Sequence, residues 1–271
     1  MRTVLITGCS SGIGLDAARH MQARGWRVIA TCRRGDDLDA RRAEGMQALH
    51  LELADEGSVA RCAEQALALG VDALVNNAAF AIPGAAEDLP RGALRSIFEA
   101  NLFGTHDLTC RLLPHFRAQG GRVVNISSVL GLVGIPWRGA YVATKFALEG
   151  LTDVLRVEMA DTQVKFVLIE PGPIGTKIRL NSIPHFERWI DWQKSPRRAQ
   201  YEATLLRRLY HPAAKRDRFE LPPGAVSEKI ALALESANPR PRYYVTTPTR
   251  LAGTARRLLP TRALDWLARR S

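Results

Sequence analysis

Cysteine is scarce in this 271-residue chain, and the four cysteines that occur form no motif. They are Cys9, Cys32, Cys62 and Cys110, and no two of them stand at CxxC spacing. Zinc ribbons, redox pairs and disulfide frameworks require paired or clustered cysteines. The sequence therefore predicts no metal site and no disulfide, and we expect reduced thiols, as in a cytosolic protein.

Long apolar runs are also lacking. No stretch reaches the ~18 consecutive apolar residues that a membrane-spanning helix needs. The first residues enter a strand-like run without the charged segment and cleavage site of a signal peptide. We therefore expect a cytoplasmic protein. The hydrophobic content of 46% and charged content of 24% are those of a globular chain, long enough for one domain over 1–271.

Acidic residues are few in the last part of the chain. Residues 1–193 hold 21 Lys+Arg and 21 Asp+Glu, whereas residues 194–271 hold 17 and 6, so the whole net charge of +11 lies there. Such a region is either a solvated surface or a site for an anionic partner, such as acidic lipid, an acidic substrate or nucleic acid. No nucleic-acid-binding motif accompanies the charge, and we expect no nucleic-acid partner.

Short apolar, β-rich runs alternate with helical patterns along most of the chain. The predicted strands are 3–6, 28–31, 48–51, 73–76, 123–126, 164–169 and 242–246, and the predicted helices are 13–24, 59–69, 94–116, 141–159 and 225–235. This alternation is typical of an α/β protein with a parallel sheet and helices on both faces. The predicted fold class is a single-domain, Rossmann-type, doubly wound sheet.

Two segments depart from this rhythm. Residues 177–224 carry prolines, charges and apolar aromatic side chains, and a long insertion of this kind is often a lid over a site. Residues 248–271 form a basic, leucine-rich tail that Pro260 divides, which predicts two short helices. The tail either packs on its own protein or lies on an anionic membrane as a peripheral, amphipathic element.

A glycine-rich loop joins the first strand to the first helix. Residues 7–14 are Thr-Gly-Cys-Ser-Ser-Gly-Ile-Gly, which is G-x3-G-x-G. Glycines allow the backbone to approach a pyrophosphate, and the free N–H groups of a helix N-terminus attract its charge. The loop is either a plain tight turn or a dinucleotide site that is formed by Gly8, Ser10, Ser11, Gly12, Ile13 and Gly14.

The residues after the second strand bear on the choice of cofactor. An NAD site has an acid there for the ribose 2′-hydroxyl, but this chain has Arg33 and Arg34. A guanidinium binds a 2′-phosphate through two hydrogen bonds. If these arginines do not merely face solvent, the pair predicts NADP(H) rather than NAD(H).

A tyrosine and a lysine open the helix predicted at 141–159. Tyr141 and Lys145 are four residues apart and share one helix face. A neighbouring ammonium favours the phenolate, which predicts a tyrosine pKa closer to neutrality. Ser128 follows the preceding strand at the edge where open α/β sheets bind ligands. Asn101, within a helical stretch, is either a satisfied core amide or a functional residue.

Together these motifs resemble the short-chain dehydrogenase/reductase family. The matching elements, in order over residues 3–176, are 7–14, Asn76-Asn77-Ala78, Asn101, Ser128, Tyr141-x3-Lys145 and Pro171-Gly172-Pro173-Ile174 with Thr176. Within the family, the chain looks most like bacterial NADP-dependent aldehyde reductases and the retinol and 17β-hydroxysteroid dehydrogenases. Beyond about residue 180 the resemblance is architectural only.

The resemblance implies roles for the matching residues. Tyr141 would be the general acid/base, Lys145 would hold the nicotinamide ribose and lower the tyrosine pKa, and Ser128 would orient the carbonyl. Asn101 would hold a water in a proton relay. The remaining cofactor contacts would come from Leu53, Asn76, Ala78, Pro171, Gly172, Ile174 and Thr176. Two positions depart from the family pattern: Ala79 stands where glycine is usual, and Glu52 stands where aspartate is frequent.

These observations define the expected activity. We expect an NADP(H)-dependent enzyme that reversibly reduces a lipophilic aldehyde or ketone, the substrate class indicated by the apolar lid. An NAD-preferring alcohol or steroid dehydrogenase and a non-catalytic NADPH-binding sensor are the alternatives. The presence of all four candidate catalytic residues, Asn101, Ser128, Tyr141 and Lys145, argues against a sensor, because a sensor does not need them. Family members are usually dimers or tetramers, so a homo-oligomer is expected.

Overall fold

A computed structural model gives the fold for residues 1–210 and 219–269. Seven parallel strands form one sheet in the order β3-β2-β1-β4-β5-β6-β7. The strands are β1 (Thr3–Ile6), β2 (Arg27–Cys32), β3 (Gln47–His50), β4 (Ala73–Asn76), β5 (Arg122–Ile126), β6 (Lys165–Glu170) and β7 (Arg242–Tyr244). The order reverses between β1 and β4, which creates the crevice where such sheets bind ligands.

Helices cover both faces of the sheet. The helices before the lid are α1 (Gly12–Ala23), α2 (Gly35–Ala43), α3 (Glu56–Ala68), α4 (Arg91–Phe98), α5 (Thr105–Gln119) and α6 (Gly139–Glu158). The remainder are α7 (Ile178–Asn181), α8 (Ile183–Trp189), α9 (Arg198–Gln200), α10 (Leu206–Tyr210), α11 (Gly224–Glu235), α12 (Thr247–Leu258) and α13 (Thr261–Ala268). The predicted doubly wound sheet is confirmed.

The alternation of side chains along each strand builds two cores. In β1, Val4 and Ile6 face one side of the sheet, where they join α1, α2 and α11. Leu5 faces the other side and packs among residues of α3, α5 and α6. Successive strand residues point to opposite faces, so a strand with helices on both sides is buried at every position, as β1 is.

Two sequence-based element predictions were wrong. The helix predicted at 94–116 is broken into α4 and α5 by a π-helical turn at Glu99–Gly104. Helix α2 was missed, because it carries three aspartates and two arginines in nine residues and shows little apolar periodicity. It packs through only one buried apolar side chain, Leu38.

The predicted lid lies at the carboxyl ends of the strands. The predicted tail forms the end of the chain. The lid contains four short helices, α7–α10, and the part of its predicted span at 211–218 lies outside the described residues. The tail forms two helices that Pro260 separates, as predicted. The last two residues of its span also lie outside the described residues.

Neither a membrane-spanning helix nor a metal-binding cluster is present in the described ranges. No helix within 1–210 or 219–269 has the length and apolar character to cross a membrane. The same ranges hold no cluster of three His, Cys, Asp or Glu side chains placed to bind a metal ion.

Candidate active site

The glycine-rich loop is shaped by close backbone contacts. Gly8 and Gly12 have φ angles of 76° and 60°, a region that glycine adopts without strain. A Cβ atom on Gly14 would lie 2.2 Å from the carbonyl oxygen of Gly8. Glycine is therefore required at position 14, because any side chain there would push the loop off helix α1.

The segment after β4 holds this loop in place. The amide of Asn77 donates to the carbonyl of Thr7 at 2.8 Å, and the backbone N–H groups of Asn77 and Ala78 both donate to the Thr7 hydroxyl at 2.9 Å. The side chain of Asn76, a predicted cofactor contact, is buried and donates to Thr109 and Asn125 at 3.0 and 2.8 Å. Its amide thus ties β4 to β5 and α5.

The start of helix α1 fits the phosphates of a dinucleotide. Ser11 is the N-cap residue, but its side chain makes no capping hydrogen bond, and the first turn holds no acidic residue. Free N–H groups at a helix N-terminus attract anions. Ser10 is exposed, whereas Ser11, Gly12 and Ile13 are half-buried at the crevice.

The two arginines after β2 are exposed and weakly held. The Arg33 guanidinium lies 3.4 Å from the Glu52 carboxylate, and the Arg34 guanidinium lies 3.6 Å from the Asp36 carboxylate. Their side chains are 66% and 77% exposed, so these ion pairs contribute little to stability. Both guanidiniums are free to turn toward an anionic group. Leu53, three residues after the end of β3, is buried.

The loop after β6 closes the other side of the crevice. The carbonyl of Pro171 accepts a hydrogen bond from Val129 N at 2.7 Å. A Cβ on Gly172 would lie 2.1 Å from the Thr246 hydroxyl, so glycine is required there too. Thr176 lies against Gly12, with its Cγ2 3.3 Å from where a Cβ on that glycine would stand. Ile174, half-buried, forms a bridge with Leu221.

Ser128 and Tyr141 meet at the carboxyl edge of β5. Their side chains are hydrogen-bonded, and the Ser128 hydroxyl also accepts from Leu130 N at 3.1 Å. Tyr141 stands in the first turn of α6 and is buried. Burial raises the pKa of Tyr141 to about 12, and the Ser128 hydrogen bond and the charge of Arg138 offset only part of this rise.

Lys145 lies one turn further along α6. Its Nζ donates to the carbonyl of Ile126 at 2.8 Å and lies 5.5 Å from the centroid of the Tyr141 ring. Burial lowers the pKa of Lys145 to about 8, against the charge of Glu149, which raises it. The expected lowering of the tyrosine pKa by this ammonium is wrong for this structure, because the desolvation of the phenol dominates.

Asn101 lies in the π-helical turn between α4 and α5. Its side chain accepts from Phe80 N at 3.0 Å, donates to Phe80 O at 2.9 Å and reaches Thr144 at 3.3 Å. The amide thus joins the segment after β4 to the residue beside Lys145. π-Helical turns are rare in proteins as a whole, but those that occur often lie at functional sites.

A buried charge cluster lies behind Lys145. Arg242, on β7, donates to Glu149 and to Glu170, the latter at 2.7 Å, and its other nitrogen donates to Asp153 at 2.6 Å. Burial raises the pKa of Glu170, and the nearby Glu149 raises it further, although Arg242 opposes both effects. Three carboxylates thus share one guanidinium, and one of them, Glu149, lies one turn of α6 beyond Lys145.

The lid packs over the edge of the sheet that carries Tyr141. Tyr201 lies with its ring centroid 4.7 Å from that of Trp137, and both belong with Phe186 and Tyr141 to one apolar cluster. His185 stacks on Phe80 at 4.1 Å. The lid therefore contacts the catalytic candidates through aromatic side chains.

The tertiary structure adds residues that sequence reasoning missed. Asn77 holds the phosphate loop, and its signal was present, because it is the central residue of the Asn76-Asn77-Ala78 match. Arg138 affects Tyr141, and its only signal was its place three residues before that tyrosine. The sequence contains no motif that points to Glu149, Glu170 or Arg242, because these residues lie on separate elements.

Comparisons with known proteins agree with this geometry. A profile of the family described as short chain dehydrogenase matches residues 2–185. The chain is 38% identical over 268 residues to the uncharacterized oxidoreductase YbbO of Escherichia coli K12, covering 97% of this chain and 93% of that one. It is also 38% identical over 187 residues to human retinol dehydrogenase 8, covering 65% and 60% of the two chains.

A solved structure shows the same fold. The structure of a short-chain dehydrogenase from Streptomyces avermitilis superposes with a TM-score of 0.79 at 30% identity, over 98% of this chain and 93% of that one. Together, the profile match, the near full-length relative and the shared fold show that the chain belongs to the short-chain dehydrogenase/reductase family, the NAD(P)-dependent oxidoreductases that act on alcohol and keto groups.

Proposed function

We propose that this protein is an NADP(H)-dependent oxidoreductase that reversibly reduces a lipophilic aldehyde or ketone to the alcohol. The observation that carries the proposal is the pairing of Ser128 with the buried Tyr141 at the carboxyl edge of the sheet, with Lys145 one helical turn away. The bound nicotinamide cofactor would supply the hydride.

The protein's part is to position the carbonyl and to move a proton. Ser128 donates a hydrogen bond to the carbonyl oxygen and keeps it beside the phenol. The raised pKa of Tyr141 keeps the hydroxyl protonated at neutral pH, which suits the donation of a proton to that oxygen during reduction. Lys145 holds the nicotinamide ribose, and Asn101, in the π-helical turn, anchors the segment that encloses the site.

The cofactor preference rests on the two arginines after β2. Arg33 and Arg34 are mostly exposed, and in the part of the chain that the structure describes each forms one ion pair, to Glu52 and Asp36 respectively. A 2′-phosphate at this edge would gain charge-assisted hydrogen bonds, which are about twice as strong as neutral ones. No acid occupies the corresponding place for a 2′-hydroxyl. We expect NADP(H) to be preferred over NAD(H).

The substrate class rests on the lid. Ile183, Phe186 and Ile190 pack with Tyr141 into one cluster that Trp189, Trp192 and Tyr201 join. Apolar walls next to the reacting carbonyl favour a medium or long aldehyde, or a retinoid-like or steroid-like carbonyl compound. Human retinol dehydrogenase 8, whose name gives a lipophilic alcohol as its substrate, is similar over 65% of this chain.

The test is the oxidation of NADPH, followed at 340 nm, with a panel of aldehydes and ketones. Wild-type protein should reduce a lipophilic member of the panel, and Tyr141→Phe should lower kcat by about 10²–10⁴, the usual contribution of a general acid. Turnover that persists in Tyr141→Phe would overturn the proposed mechanism. NADPH binding without reduction of any carbonyl would favour a sensor.

The cofactor assignment has its own test. Arg33→Asp should reverse the ratio of kcat/KM for NADPH over NADH, whereas Arg42→Asp, an exposed arginine of α2, should leave the ratio unchanged. Equal use of both cofactors by the wild type, with no change in Arg33→Asp, would remove the preference for NADP(H).

Two further proposals concern partners. Phe103, Val154 and Val157 are 51%, 51% and 69% exposed on the π-helical turn and α6, and we propose that such surfaces pair in a homodimer or homotetramer. Sedimentation velocity tests this: a monomer at micromolar concentration would contradict it. We also propose that the basic tail lies on anionic membranes.

A further inference from the structure

Glu149 is a buried carboxylate that the proposed reaction does not use. It lies on α6 one helical turn beyond Lys145 and is 7% exposed. Residues four apart on a helix share one face, with their Cβ atoms about 5–6 Å apart. A glutamate is seldom buried to this extent unless its charge is paired.

The Glu149 side chain packs against the turn that carries Ser128. That turn is the 3₁₀ segment Val129–Gly131, for which Ser128 is the N-cap residue. A Cβ atom on Gly131 would lie 2.9 Å from Cγ of Glu149 and 3.1 Å from its Oε1. Glycine at position 131 therefore lets the turn rest directly on the Glu149 side chain.

Lys145 is held at the same end of β5. Its ammonium donates to the carbonyl of Ile126 at 2.8 Å. The next residue is Ser127, whose hydroxyl would lie 2.7 Å from the same Cβ atom on Gly131. The ammonium and the Glu149 carboxylate thus lie on one helix face and beside consecutive residues of β5 and its end. Burial lowers the pKa of Lys145 to about 8, and the charge of Glu149 opposes that change.

Arg242 fixes the Glu149 carboxylate. One nitrogen of its guanidinium donates to Glu149 and to Glu170, and the other donates to Asp153. Glu170 is completely buried at the end of β6, directly before the Pro171-Gly172 loop that closes the crevice. The guanidinium therefore ties α6 to β6 at the point where this loop begins.

The two glutamates of this group differ in charge. Burial and the nearby Glu149 raise the pKa of Glu170, although Arg242 opposes both effects. Glu170 therefore takes up a proton first, and the negative charge stays on Glu149. In the part of the chain that the structure describes, Oε1 of Glu149 has no hydrogen-bond partner. This oxygen lies on the side of Gly131 and Ser127, where its charge acts on the ammonium of Lys145.

Other ionisable groups also surround Lys145 and Glu149. Within the described ranges they are Tyr141, Asp153 and Arg156 on α6, Glu170 on β6, Arg242 on β7 and Arg256 on α12. Asp153 pairs with Arg156 at 2.6 Å as well as with Arg242, and Arg256 donates to Leu132 O. Glu149 is the anion that α6 places one turn from the ammonium.

We propose that Glu149 is a positioning residue for Lys145: its carboxylate keeps the ammonium charged at the end of β5, and Arg242 and Glu170 hold that carboxylate in place. Glu149 acts through Lys145 and not by contact with the substrate. The ammonium thereby stays available to the nicotinamide ribose through the neutral pH range. This inference rests on the proposed function for the role of Lys145.

The test is the pH dependence of Glu149→Gln, which removes the charge and keeps the shape of the side chain. Arg242 retains two carboxylates in this variant, so no cation is left without a partner. The fall of kcat/KM for NADPH, expected near pH 8 in the wild type, should move down by about one pH unit, because an opposite charge within about 4–6 Å stabilises the charged form. Glu149→Asp keeps the charge and should restore most of the shift.

Asp153→Asn is the matched control. It also removes one carboxylate of α6 from Arg242, but it lies about 12 Å along the helix from Lys145 and is 41% exposed, so it should move the break by less than about 0.3 pH units. An unmoved break in Glu149→Gln, or an equal shift in Asp153→Asn, would overturn the inference, since loss of a purely structural ion pair does not move the break selectively. Glu149→Met, of similar length, serves if Glu149→Gln does not fold.

NADPH binding separates this inference from the proposed function. The Kd for NADPH, measured by fluorescence titration, reports on Lys145 without turnover, and its rise with pH should begin about one unit earlier in Glu149→Gln than in the wild type. If Kd shifts in this way but no carbonyl is reduced, the role of Glu149 stands and the proposed activity fails. If carbonyls are reduced and neither profile shifts, the proposed activity stands and the role of Glu149 is wrong.

Discussion

Opposite pKa shifts of two neighbouring residues define the chemistry at the scale of single side chains. Burial disfavours the charged form of each group, so it raises the pKa of Tyr141 to about 12 and lowers that of Lys145 to about 8. The phenol therefore stays a proton donor through the neutral range. The lysine loses its charge within the range where enzymes are assayed.

The lysine shift predicts a pH dependence. Lys145 is cationic below pH 8 and neutral above it, so kcat/KM for the nicotinamide cofactor, which reports the free enzyme, should fall as pH rises through about 8. An unperturbed lysine would titrate near 10.4. Initial rates between pH 6 and pH 10 measure the profile. Lys145→Arg stays cationic, so its lower rates should show no break near pH 8; a break at the same pH in that variant would assign it to another group.

Two glycines with opposite surroundings give a matched pair of substitutions. Gly14→Ala places a methyl group 2.2 Å from Gly8 O and should abolish cofactor binding, measured by fluorescence titration with NADPH. Gly150 is exposed within α6 and has nothing within 4 Å of its missing Cβ. Gly150→Ala should therefore raise the free energy of unfolding by about 0.5–1 kcal/mol and leave binding intact. Equal effects of the two changes would contradict this account.

At the scale of elements, the lid is attached to the body by polar as well as apolar contacts. Tyr201 is completely buried, its hydroxyl donates to Asp88 at 2.7 Å, and it accepts from Ala85 N at 2.8 Å. Asp88 also accepts from Ser195 at 2.7 Å. These bonds fix the lid against the 3₁₀ turn at Ala86–Asp88, close to the first turn of α6.

Removal of one hydroxyl tests this attachment. Tyr201→Phe leaves the buried N–H of Ala85 without its acceptor, so it should lower the free energy of unfolding by about 1–3 kcal/mol and raise KM for the carbonyl substrate. Urea denaturation and initial rates measure the two effects. Tyr210→Phe, which removes an exposed hydroxyl bonded to Glu187, should change stability by less than about 0.5 kcal/mol. Identical stability of both variants would show that the lid does not depend on Tyr201.

The regular elements were predictable where a local pattern repeats. The strands at 3–6 and 73–76 and helix α6 follow from apolar runs and from a helical period that a short window contains. The π-helical turn at Glu99–Gly104 is not visible in that way, because it depends on the packing of Asn101 against Phe80 and Thr144. Helix α2 is mostly charged and buries one leucine, so its sequence lacks the apolar periodicity from which a helix is predicted.

The uneven distribution of charge is a property of the whole molecule. The net charge of +11 lies in residues 194–271, and α12 and α13 expose Leu251, Leu258, Trp266 and Leu267 between their arginines. Basic residues and tryptophan next to exposed leucines are typical of elements that lie in a membrane interface. Arg256 does not take part, because it donates to Leu132 O at 2.5 Å and lies over Phe146.

This pattern predicts binding to anionic vesicles. The protein should sediment with phosphatidylserine-containing liposomes at low salt and remain in solution with phosphatidylcholine alone. Added salt should release it, because surface charge interactions are screened within about 10 Å at 0.1 M. Arg257→Glu with Arg262→Glu should abolish sedimentation, and Arg61→Glu on α3, an exposed site remote from the tail in sequence, should not. No binding of the wild type at low salt would remove the proposal.

The sequence alone determined the sheet, the phosphate loop and the pairing of Tyr141 with Lys145, because each depends on residues close together in the chain or on the order of strands. The tertiary structure decided how these groups behave. Burial set the pKa of Tyr141 against the expectation, and Asn76 turned inward while Asn77 held the loop. Desolvation and charge contacts depend on what surrounds a residue in space, and those neighbours lie on distant parts of the chain.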